Sequence, residues 1–543
     1  MRIALYHGYE LAGSGSNEYV RYLARVLARQ GHEVHVICSD PAPERQDFLT
    51  RAFAWDCEGN AELLLERPGA LRGTATLHQL PRTPIYPVFL TDKQRPGSVK
   101  AFTELSDAEL AEYHQVICRV LKAILESVRP EILHANHLVY QPAIAMDACE
   151  EIGVPFVIFP HGSAIEYTVR RDPRYYRAAE KPLQRCSGLV CGSLEVQNRI
   201  DRLYPQLRET LRPKRHIVGV GVDTALFAPR RRSERALALQ ELKSPHPESG
   251  KSARQSAELC EALDRGDLEA TRRYWDAYDH DLPDAGLPAI VDRIPPGGDL
   301  LLFVGGLTVG KGVQTLLAAF PAILAERPNA HVVIVGGGAY REFLEGMVHA
   351  LAARNQALFA ALAARGRDLD RNDQTGPLED VLAYAASSEN RRVLFAPGSE
   401  LSRHVHFLGR LDHSRLRLLF PCAALAVFPS IIPEAYPLVL LESFANGVLP
   451  MVTYDSGFKD GLDSVRRDLP PYVWEKLQIS ASAADRIERL SRNAIDLLRI
   501  LEQEDLGTQV RDLALGRFDW NIVARQMVET YQAVLARSGT HAA

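Results

Sequence analysis

The sequence predicts an α/β protein built from two domains, each containing an open parallel sheet. Short apolar segments typical of buried strands alternate with longer segments whose apolar residues recur at helical spacing, which favours strand-helix-strand units. This alternation occurs twice, first within residues 1–214 and again from residue 300 onward. The chain has 543 residues, too many for one ordinary core, because domains usually contain about 100 to 200 residues.

The first series opens with a β-α-β unit. A strand at residues 3–7 leads through a loop rich in Gly and Ser to a helix, which is followed by a strand at 33–38. The helix has apolar residues at helical spacing, namely Tyr19, Tyr22, Leu23, Val26 and Leu27. Further strands are predicted at 132–135, 156–160 and 188–191, and further helices at 107–128 and 141–151.

The second series repeats this arrangement. The predicted strands are 300–304, 331–335, 404–408, 425–428 and 449–453, with helices at 313–326 and within 437–446. Three segments, at about 41–100, 230–298 and 340–403, interrupt the pattern and are interpreted as insertions. Structureless loops of that length are uncommon, so we expect each to contain helices or to be partly mobile. The chain ends in a predicted amphipathic helix at 518–537.

Composition restricts the class of protein. The hydrophobic fraction is 46%, and 63 basic against 68 acidic residues give a net charge of -5, so nucleic acid is not a favoured partner. The first residues show neither a signal peptide nor a membrane span, which favours the cytoplasm. The eight cysteines form no C-x-x-C pair and are interpreted as reduced packing residues, so neither a metal site nor a disulfide is predicted.

The residues around the predicted helix at 437–446 are the strongest candidates for chemistry. Pro437 suits a first helical position and Gly447 suits a C-terminal cap. Glu434 precedes the helix, whereas Glu442 falls inside its apolar run, where an unpaired charge would be costly to bury. A polar partner is therefore expected for Glu442, and the free N–H groups of the first helical turn suit a phosphate.

Two glycine-rich turns follow predicted strands. The loop at 13–17, which contains Gly15, is not the dinucleotide fingerprint, because Glu18 stands where the third glycine is required. A turn needed only for chain geometry is the alternative. The turn at 304–312 places Lys311 in reach of a phosphate, but Gly312 replaces the Ser or Thr of a P-loop that would hold magnesium. Phosphate binding without a dedicated metal is predicted there.

His161 ends a predicted strand at the edge where open α/β sheets bind ligands. A structural role is the alternative. A basic cluster interleaved with Tyr175 and Tyr176 is suited to an anionic membrane surface or an acidic acceptor, and a solvated face is the simpler interpretation. The cluster comprises Arg170, Arg171, Arg174, Arg177, Lys181 and Arg185.

Taken together, these residues resemble the retaining glycosyltransferases of family 4, the group 1 glycosyltransferases of the GT-B fold. The most specific motif is E-x(7)-E, from Glu434 to Glu442. Supporting motifs occur in the family's order outside the insertions, and they include Gly31-His32-Glu33-Val34, His134-Ala135-Asn136, Pro160-His161-Gly162, Gly219-Val220-Gly221-Val222-Asp223-Thr224 and the turn from Gly305 to Gly312.

The resemblance implies two Rossmann-like domains that face a central cleft. These are residues 1–214 on the acceptor side and 215–515 on the nucleotide-sugar side, with a helix in 516–543 that crosses back to the first domain. Glu442 is expected to hold the ribose hydroxyls, Glu434 to meet the transferred sugar, Lys311 to neutralise the diphosphate, and His161 to bond a sugar hydroxyl. The other implied donor contacts are Gly15, Gly305, Gly306, Ala435, Tyr436, Pro437 and Leu438.

Two departures from the family pattern matter. The family usually has an arginine where this chain has Gly306, so one cation at the diphosphate is missing; Arg410 is a candidate substitute. Residues 455–459 replace a double glycine and a glutamate, which predicts unusual recognition of the sugar or the acceptor.

The resemblance predicts a hexosyltransferase that takes a nucleoside diphosphate sugar as donor, uses no cofactor, and acts on a sugar, lipid or small-molecule acceptor. Peripheral contact with the inner membrane face is left open. A catalytically silent sugar-nucleotide-binding or scaffold protein is the alternative, and an epimerase or phosphorylase is a further one.

Overall fold

The computed structural model describes residues 1–89, 98–244, 249–370 and 375–540. It divides into two compact units. The first unit contains Met1–Gly221, Ala435–Leu438 and Arg517–Ala543, and the second contains Val222–Glu434 and Val439–Gly516. Each unit is built around its own sheet.

The first unit contains a nine-stranded sheet with the strand order β11-β10-β9-β8-β1-β2-β5-β3-β4. Its neighbouring strands are parallel except for the antiparallel pair of β3 and β4. The strands are β1 (Arg2–Tyr6), β2 (Glu33–Cys38), β3 (Arg51–Trp55), β4 (Ala61–Glu66), β5 (Thr74–Gln79), β8 (Ile132–Asn136), β9 (Phe156–Phe159), β10 (Gly188–Cys191) and β11 (Arg215–Ile217), and β6 (Ile85–Val88) and β7 (Ser98–Ala101) form a separate pair. All predicted strands of this region are present.

The segment at 41–100, which was predicted to be an insertion, is part of the main sheet. It contributes β3, β4 and β5 to the main sheet, and β5 pairs with β2 along its whole length. The apolar pattern did not indicate these strands, because β5 reads Thr-Ala-Thr-Leu-His-Gln and the edge strand β4 is mostly exposed. The first unit also extends past the predicted boundary at residue 214, because β11 pairs with β10.

Helices cover the first sheet, and the C-terminal helix packs among them. The indole of Trp520 stacks on Tyr22 of the first helix, with ring centroids 6.0 Å apart. The buried hydroxyl of Tyr531 lies 2.7 Å from Nδ1 of His134 in β8. The helices of this unit are Gly15–Arg29, Asp107–Val128, Gln141–Ile152, Pro173–Arg185, Leu194–Leu203 and Trp520–Thr540, with shorter turns between them.

The second unit contains a six-stranded parallel sheet with the order β14-β13-β12-β15-β16-β17. The strands are β12 (Asp299–Val304), β13 (Ala330–Val335), β14 (Val405–Phe407), β15 (Leu425–Phe428), β16 (Leu449–Thr453) and β17 (Gln478–Ile479). The predicted strands of the second series are all present. Both insertions of this unit contain helices, as expected.

The helices of the second unit occur before, between and after the strands of this sheet in the sequence. In the first insertion they are Arg235–Leu242, Ala253–Asp264, Ala270–Arg273 and Leu287–Val291. In the second they are Arg341–Ala352, Gln356–Arg365, Glu379–Ala386, Ser388–Phe395 and Leu401–His404. The others are Val313–Glu326, His413–Leu419, Leu438–Ala445, Ser456–Asp463, Pro471–Lys476, Arg486–Leu501 and Gly507–Leu513.

Candidate active site

The two carboxylates of the E-x(7)-E motif lie on either side of the start of one helix. Helix Leu438–Ala445 begins after a loop that follows β15. The side chain of Glu434 in this loop is 15% exposed, and that of Glu442 inside the helix is 6% exposed. Gly447 follows the helix with a φ of 68°, the left-handed conformation that favours glycine at a C-terminal cap. The predicted short, bounded helix is therefore present.

Glu434 is held in place from several directions. Nζ of Lys311 lies 2.6 Å from Oε1 of Glu434, and the Ser430 hydroxyl donates to the same oxygen at 2.8 Å. The backbone N–H of Glu434 donates to Oγ of Ser456 at 2.8 Å, and the N–H of Gly457 donates to the Glu434 carbonyl at 3.0 Å. Lys311 and Glu434 thus form a partly exposed ion pair at the carboxyl edge of the second sheet.

The unusual segment at 455–459 takes part in this arrangement. Ser456, which holds the Glu434 backbone, has a φ of 49°, a conformation that a non-glycine residue rarely adopts. Such a residue persists where its surroundings fix it. The departure from the family's double glycine therefore supplies a side-chain hydrogen bond to the loop that carries Glu434.

Tight backbone packing places Lys311 beside this loop. Gly312 has a φ of 74°, and a Cβ added there would lie 1.8 Å from the carbonyl oxygen of Pro429. The N–H of Ile431 donates to the carbonyl of Gly310 at 2.8 Å. The turn after β12 and the loop after β15 are therefore in direct contact, which requires glycine at position 312.

Gly306 lies in the same turn but in open space. No heavy atom lies within 4 Å of a Cβ added there, whereas a Cβ on Gly305 would lie 3.2 Å from the ring of Phe303. A longer side chain at position 306 thus meets no obstruction near its Cβ.

Glu442 has a histidine beside it that the sequence analysis did not identify. Nε2 of His413 lies 3.5 Å from Oε1 of Glu442, and the His413 ring contacts Phe227 edge to face at 5.3 Å between centroids. A polar partner was expected for Glu442, although ribose hydroxyls were proposed for that role. His413 begins the helix that follows β14. Its position after a strand is the one feature of the sequence that could have identified it as a site residue.

Arg410 contacts the insertion at 230–298. Its guanidinium is ion-paired with Asp281 of the first insertion, and its backbone N–H donates to the carbonyl of Leu282 at 3.1 Å. Arg410 stays a candidate for the substitute cation, because a guanidinium carries several N–H donors and can contact a second anion.

His161 follows β9 in the first unit. Its Nε2 lies 3.0 Å from Oδ1 of Asn136, whose amide group donates to the carbonyl of Tyr6 at 3.2 Å. Because Oδ1 of Asn136 accepts, the proton of His161 is assigned to Nε2, which leaves Nδ1 as an acceptor. Burial lowers the pKa of His161 well below its ordinary value, and the nearby histidines His7 and His134 lower it further. His161 is therefore a neutral imidazole.

The remaining predicted donor contacts lie at or just before the starts of two helices. Gly15 begins the first helix of the first unit, where Ser14 caps the helix by accepting from the N–H of Asn17. Ala435, Tyr436, Pro437 and Leu438 connect Glu434 to the helix that carries Glu442, and they are partly exposed.

The basic cluster at 170–185 is partly neutralised. Arg170 pairs with Glu166, and Arg185 pairs with Glu150. Arg174 pairs with both Asp107 and Asp172. These contacts favour a solvated, ion-paired face over a continuous patch of positive charge. Among the residues that the structure describes, none of the helices combines the length and the apolar composition of a membrane span.

Comparison with known proteins defines the class to which this fold and site belong. The family model for Glycosyltransferase Family 4 matches residues 13–226, and the model for Glycosyl transferases group 1 matches residues 291–362 and 387–468. Together the two models cover more than half of the chain. The chain belongs to the group 1 glycosyltransferases of family 4, as the motifs predicted.

The individual relatives share only part of their sequence with this chain. A phosphatidyl-myo-inositol mannosyltransferase of Mycobacterium leprae is 29% identical over 162 residues, which cover 30% of this chain and 40% of that protein. The matching segments span half or less of the curated relatives' own length.

Solved structures support the fold. Sucrose-phosphate synthase from Thermosynechococcus elongatus is similar with a TM-score of 0.56 and 17% identity, covering 99% of this chain and 100% of that one. HepE from Anabaena, solved with UDP-glucose, is similar with a TM-score of 0.54 and 12% identity, covering 98% and 100%. The predicted GT-B fold is confirmed.

Proposed function

We propose that this protein is a retaining glycosyltransferase that moves a hexose-type sugar from a nucleoside diphosphate sugar to an acceptor. The observation that carries the proposal is the ion pair of Lys311 with Glu434, 2.6 Å apart, at the start of the helix that contains the buried Glu442. An ammonium, two carboxylates and a helix N-terminus at the carboxyl edge of a parallel sheet match the needs of a sugar attached to a diphosphate.

Each group has a distinct task in this proposal. Glu442 accepts hydrogen bonds from the ribose hydroxyls, beside His413. The first N–H groups of helix Leu438–Ala445 and the ammonium of Lys311 bind the diphosphate, and Lys311 exchanges part of its contact with Glu434 for the phosphate oxygens. Glu434 then hydrogen-bonds the transferred sugar. Lys311 stabilises the charge that develops on the leaving diphosphate.

We propose same-face attack as the route to retention. The acceptor hydroxyl forms the new bond to the anomeric carbon as the bond from that carbon to the diphosphate oxygen breaks. The released phosphate oxygen takes the proton of the acceptor hydroxyl, so no pair of catalytic carboxylates of the glycosidase type is required. The nucleotide sugar is a substrate, and the proposed reaction uses no additional cofactor.

The acceptor belongs to one of three classes in this proposal: a sugar, a lipid or a small molecule. A lipid acceptor is supported by the relatives named as phosphatidyl-myo-inositol mannosyltransferases. A lipid acceptor would place the reaction at a membrane surface, through peripheral contact.

A panel of UDP-, GDP- and ADP-sugars tests the proposed reaction. Purified protein is incubated with each donor, and proton NMR follows the anomeric signal of the released or transferred sugar. We expect at least one donor to be consumed, and the first product to have the donor's anomeric configuration. Inverted product would exclude retention, and the absence of both donor consumption and nucleotide binding across the panel would exclude the function.

A second candidate is a protein that binds the sugar nucleotide without turnover, and Gly306 favours it. One cation is missing where the family has arginine, and the remaining Lys311 is already paired with Glu434. Introducing arginine at position 306 distinguishes the two. A large gain in turnover indicates a degraded site, whereas unchanged turnover in an active protein shows that other groups suffice. Free sugar that forms without acceptor dependence and is epimerised at a ring carbon would instead favour an epimerase.

A further inference from the structure

Part of the insertion at 230–298 lies against the carboxyl edge of the second sheet. Residues 227–290 fall outside both family models. Within them, residues 274–284, here called the arm, contact the turns after two strands. The N–H of Asp284 donates to the carbonyl of Leu408 at 2.9 Å, and Pro283 forms a β-bridge with Gly409 after β14. A Cβ added to Gly337 after β13 would lie 2.0 Å from the carbonyl oxygen of His280.

A buried charge network fixes the base of the arm. Nη2 of Arg341 lies 2.7 Å from Oδ2 of Asp284, and the Tyr278 hydroxyl donates to Oε1 of Glu342 at 2.7 Å. Nζ of Lys251 lies 3.1 Å from Glu342 and 2.7 Å from Glu345. The side chains of Lys251 and Glu342 are 1% and 0% exposed. Removing one member of such a network leaves an unpaired buried charge, so the arm is held firmly in this position.

The electrostatics of this network are consistent with a fixed arm. Burial alone would raise the pKa of Glu345, but Arg341 and Lys251 lower it to about 2. Burial raises the pKa of Asp284 despite its contact with Arg341. The arm is therefore attached to helix Arg341–Ala352 of the other insertion through charged groups that water does not screen.

The tip of the arm carries a partly exposed ion pair. Asp281 pairs with Arg410, and their side chains are 47% and 27% exposed. Arg410 lies three residues before His413, a separation of at most about 10 Å along an extended chain. Nε2 of His413 lies 3.5 Å from the carboxylate of Glu442, the residue proposed to hold the ribose. The turn that Arg410 occupies therefore leads directly along the chain into the ribose end of the proposed donor site.

We propose that the arm forms the wall of the donor site that faces the nucleobase, and that Asp281 and Arg410 select the base. This inference rests on the proposed function. An ionised carboxylate only accepts hydrogen bonds, and a guanidinium only donates them. Side by side, they complement an edge on which a ring N–H adjoins a carbonyl oxygen. Guanine and uracil have such an edge, whereas adenine has no ring N–H, so the pair favours GDP and UDP over ADP.

Isothermal titration calorimetry with UDP, GDP and ADP tests this inference. The full-length protein is compared with the Asp281→Ala variant. As a matched control, Glu258→Ala removes a carboxylate that is ion-paired with Arg254 on the same insertion and is 39% exposed. Thermal melts of all three proteins establish that they are folded to the same extent.

We expect the wild-type protein to bind UDP or GDP at least tenfold more tightly than ADP. Asp281→Ala should reduce this preference at least fivefold while the affinity for ADP changes less than twofold, and Glu258→Ala should leave it intact. A wild-type preference for ADP, an unchanged preference in Asp281→Ala, or equal weakening of all three ligands overturns the inference but not the proposed function. No binding of any of the three by the wild type overturns both.

Discussion

Replacing Gly306 with arginine should strengthen binding of the donor diphosphate. The added side chain meets no heavy atom within 4 Å of its Cβ, so the substitution introduces no steric conflict there. Lys311 is the cation assigned to the proposed phosphate site, and its ammonium already contacts Glu434 at 2.6 Å. A new charge-assisted hydrogen bond to phosphate contributes about 1.5 to 3 kcal/mol. That free energy corresponds to a roughly 10- to 150-fold lower Kd.

The assay is calorimetric titration of the wild type, Gly306→Arg and Gly306→Gln with the nucleoside diphosphate that the wild type binds best. Glutamine extends into the same space without a charge, so it is the matched control. The gain of the arginine variant should shrink as salt is raised, because added ions screen an exposed contact. The reasoning is refuted if Gly306→Arg binds no more tightly than the wild type, or if Gly306→Gln gains equally.

Three further predictions concern other parts of the molecule. His413→Ala should weaken donor binding about tenfold by removing the neighbour of the buried glutamate, and His413→Gln should restore part of the loss; equal affinity of all three proteins would contradict a role for this ring. Tyr531→Phe should lower the free energy of unfolding by about 1 to 3 kcal/mol, measured by urea titration, because the buried imidazole of His134 loses its bonded hydroxyl. Burial lowers the pKa of His7 to about 4 and those of His78 and His134 to about 3, so below pH 6.5 the unfolded chain binds more protons than the folded one. Stability should therefore fall between pH 6.5 and pH 4, by about 1 kcal/mol per histidine at pH 5.5, and a urea midpoint that is constant from pH 7.5 to 5.5 would contradict this.

The sequence predicted the two sheets because their strands are buried on both faces. Continuous apolar runs such as 300–304 and 425–428 are typical of a parallel sheet covered by helices. The strands that were missed lack that signal. β4 has exposed leucines at 63 and 64, and β5 carries polar residues inside the sheet, where His78 bonds His35 and Trp55 instead of contributing an apolar side chain.

The candidate site was predictable where its residues lie close together in the sequence. The E-x(7)-E spacing places Glu434 and Glu442 around one helix start, and glycines at 305–312 indicate a turn close to a ligand. His413 and Asp281 were not predictable in this way, because each meets its partner through tertiary contacts between segments far apart in sequence. Asp281 also lies in an insertion without a motif, and its ion pair with Arg410 and the neighbouring β-bridge of Pro283 to Gly409 connect it to the turn after β14.

The central claim is that Glu442 and Lys311 bind a nucleotide sugar. Calorimetric titration of the wild type and Glu442→Ala with UDP-, GDP- and ADP-sugars tests it most directly. We predict saturable binding of at least one donor by the wild type and a loss of at least tenfold in affinity for Glu442→Ala, with both proteins folded by thermal melt. Equal affinity of the two proteins, or no binding of any donor by the wild type, would contradict the account.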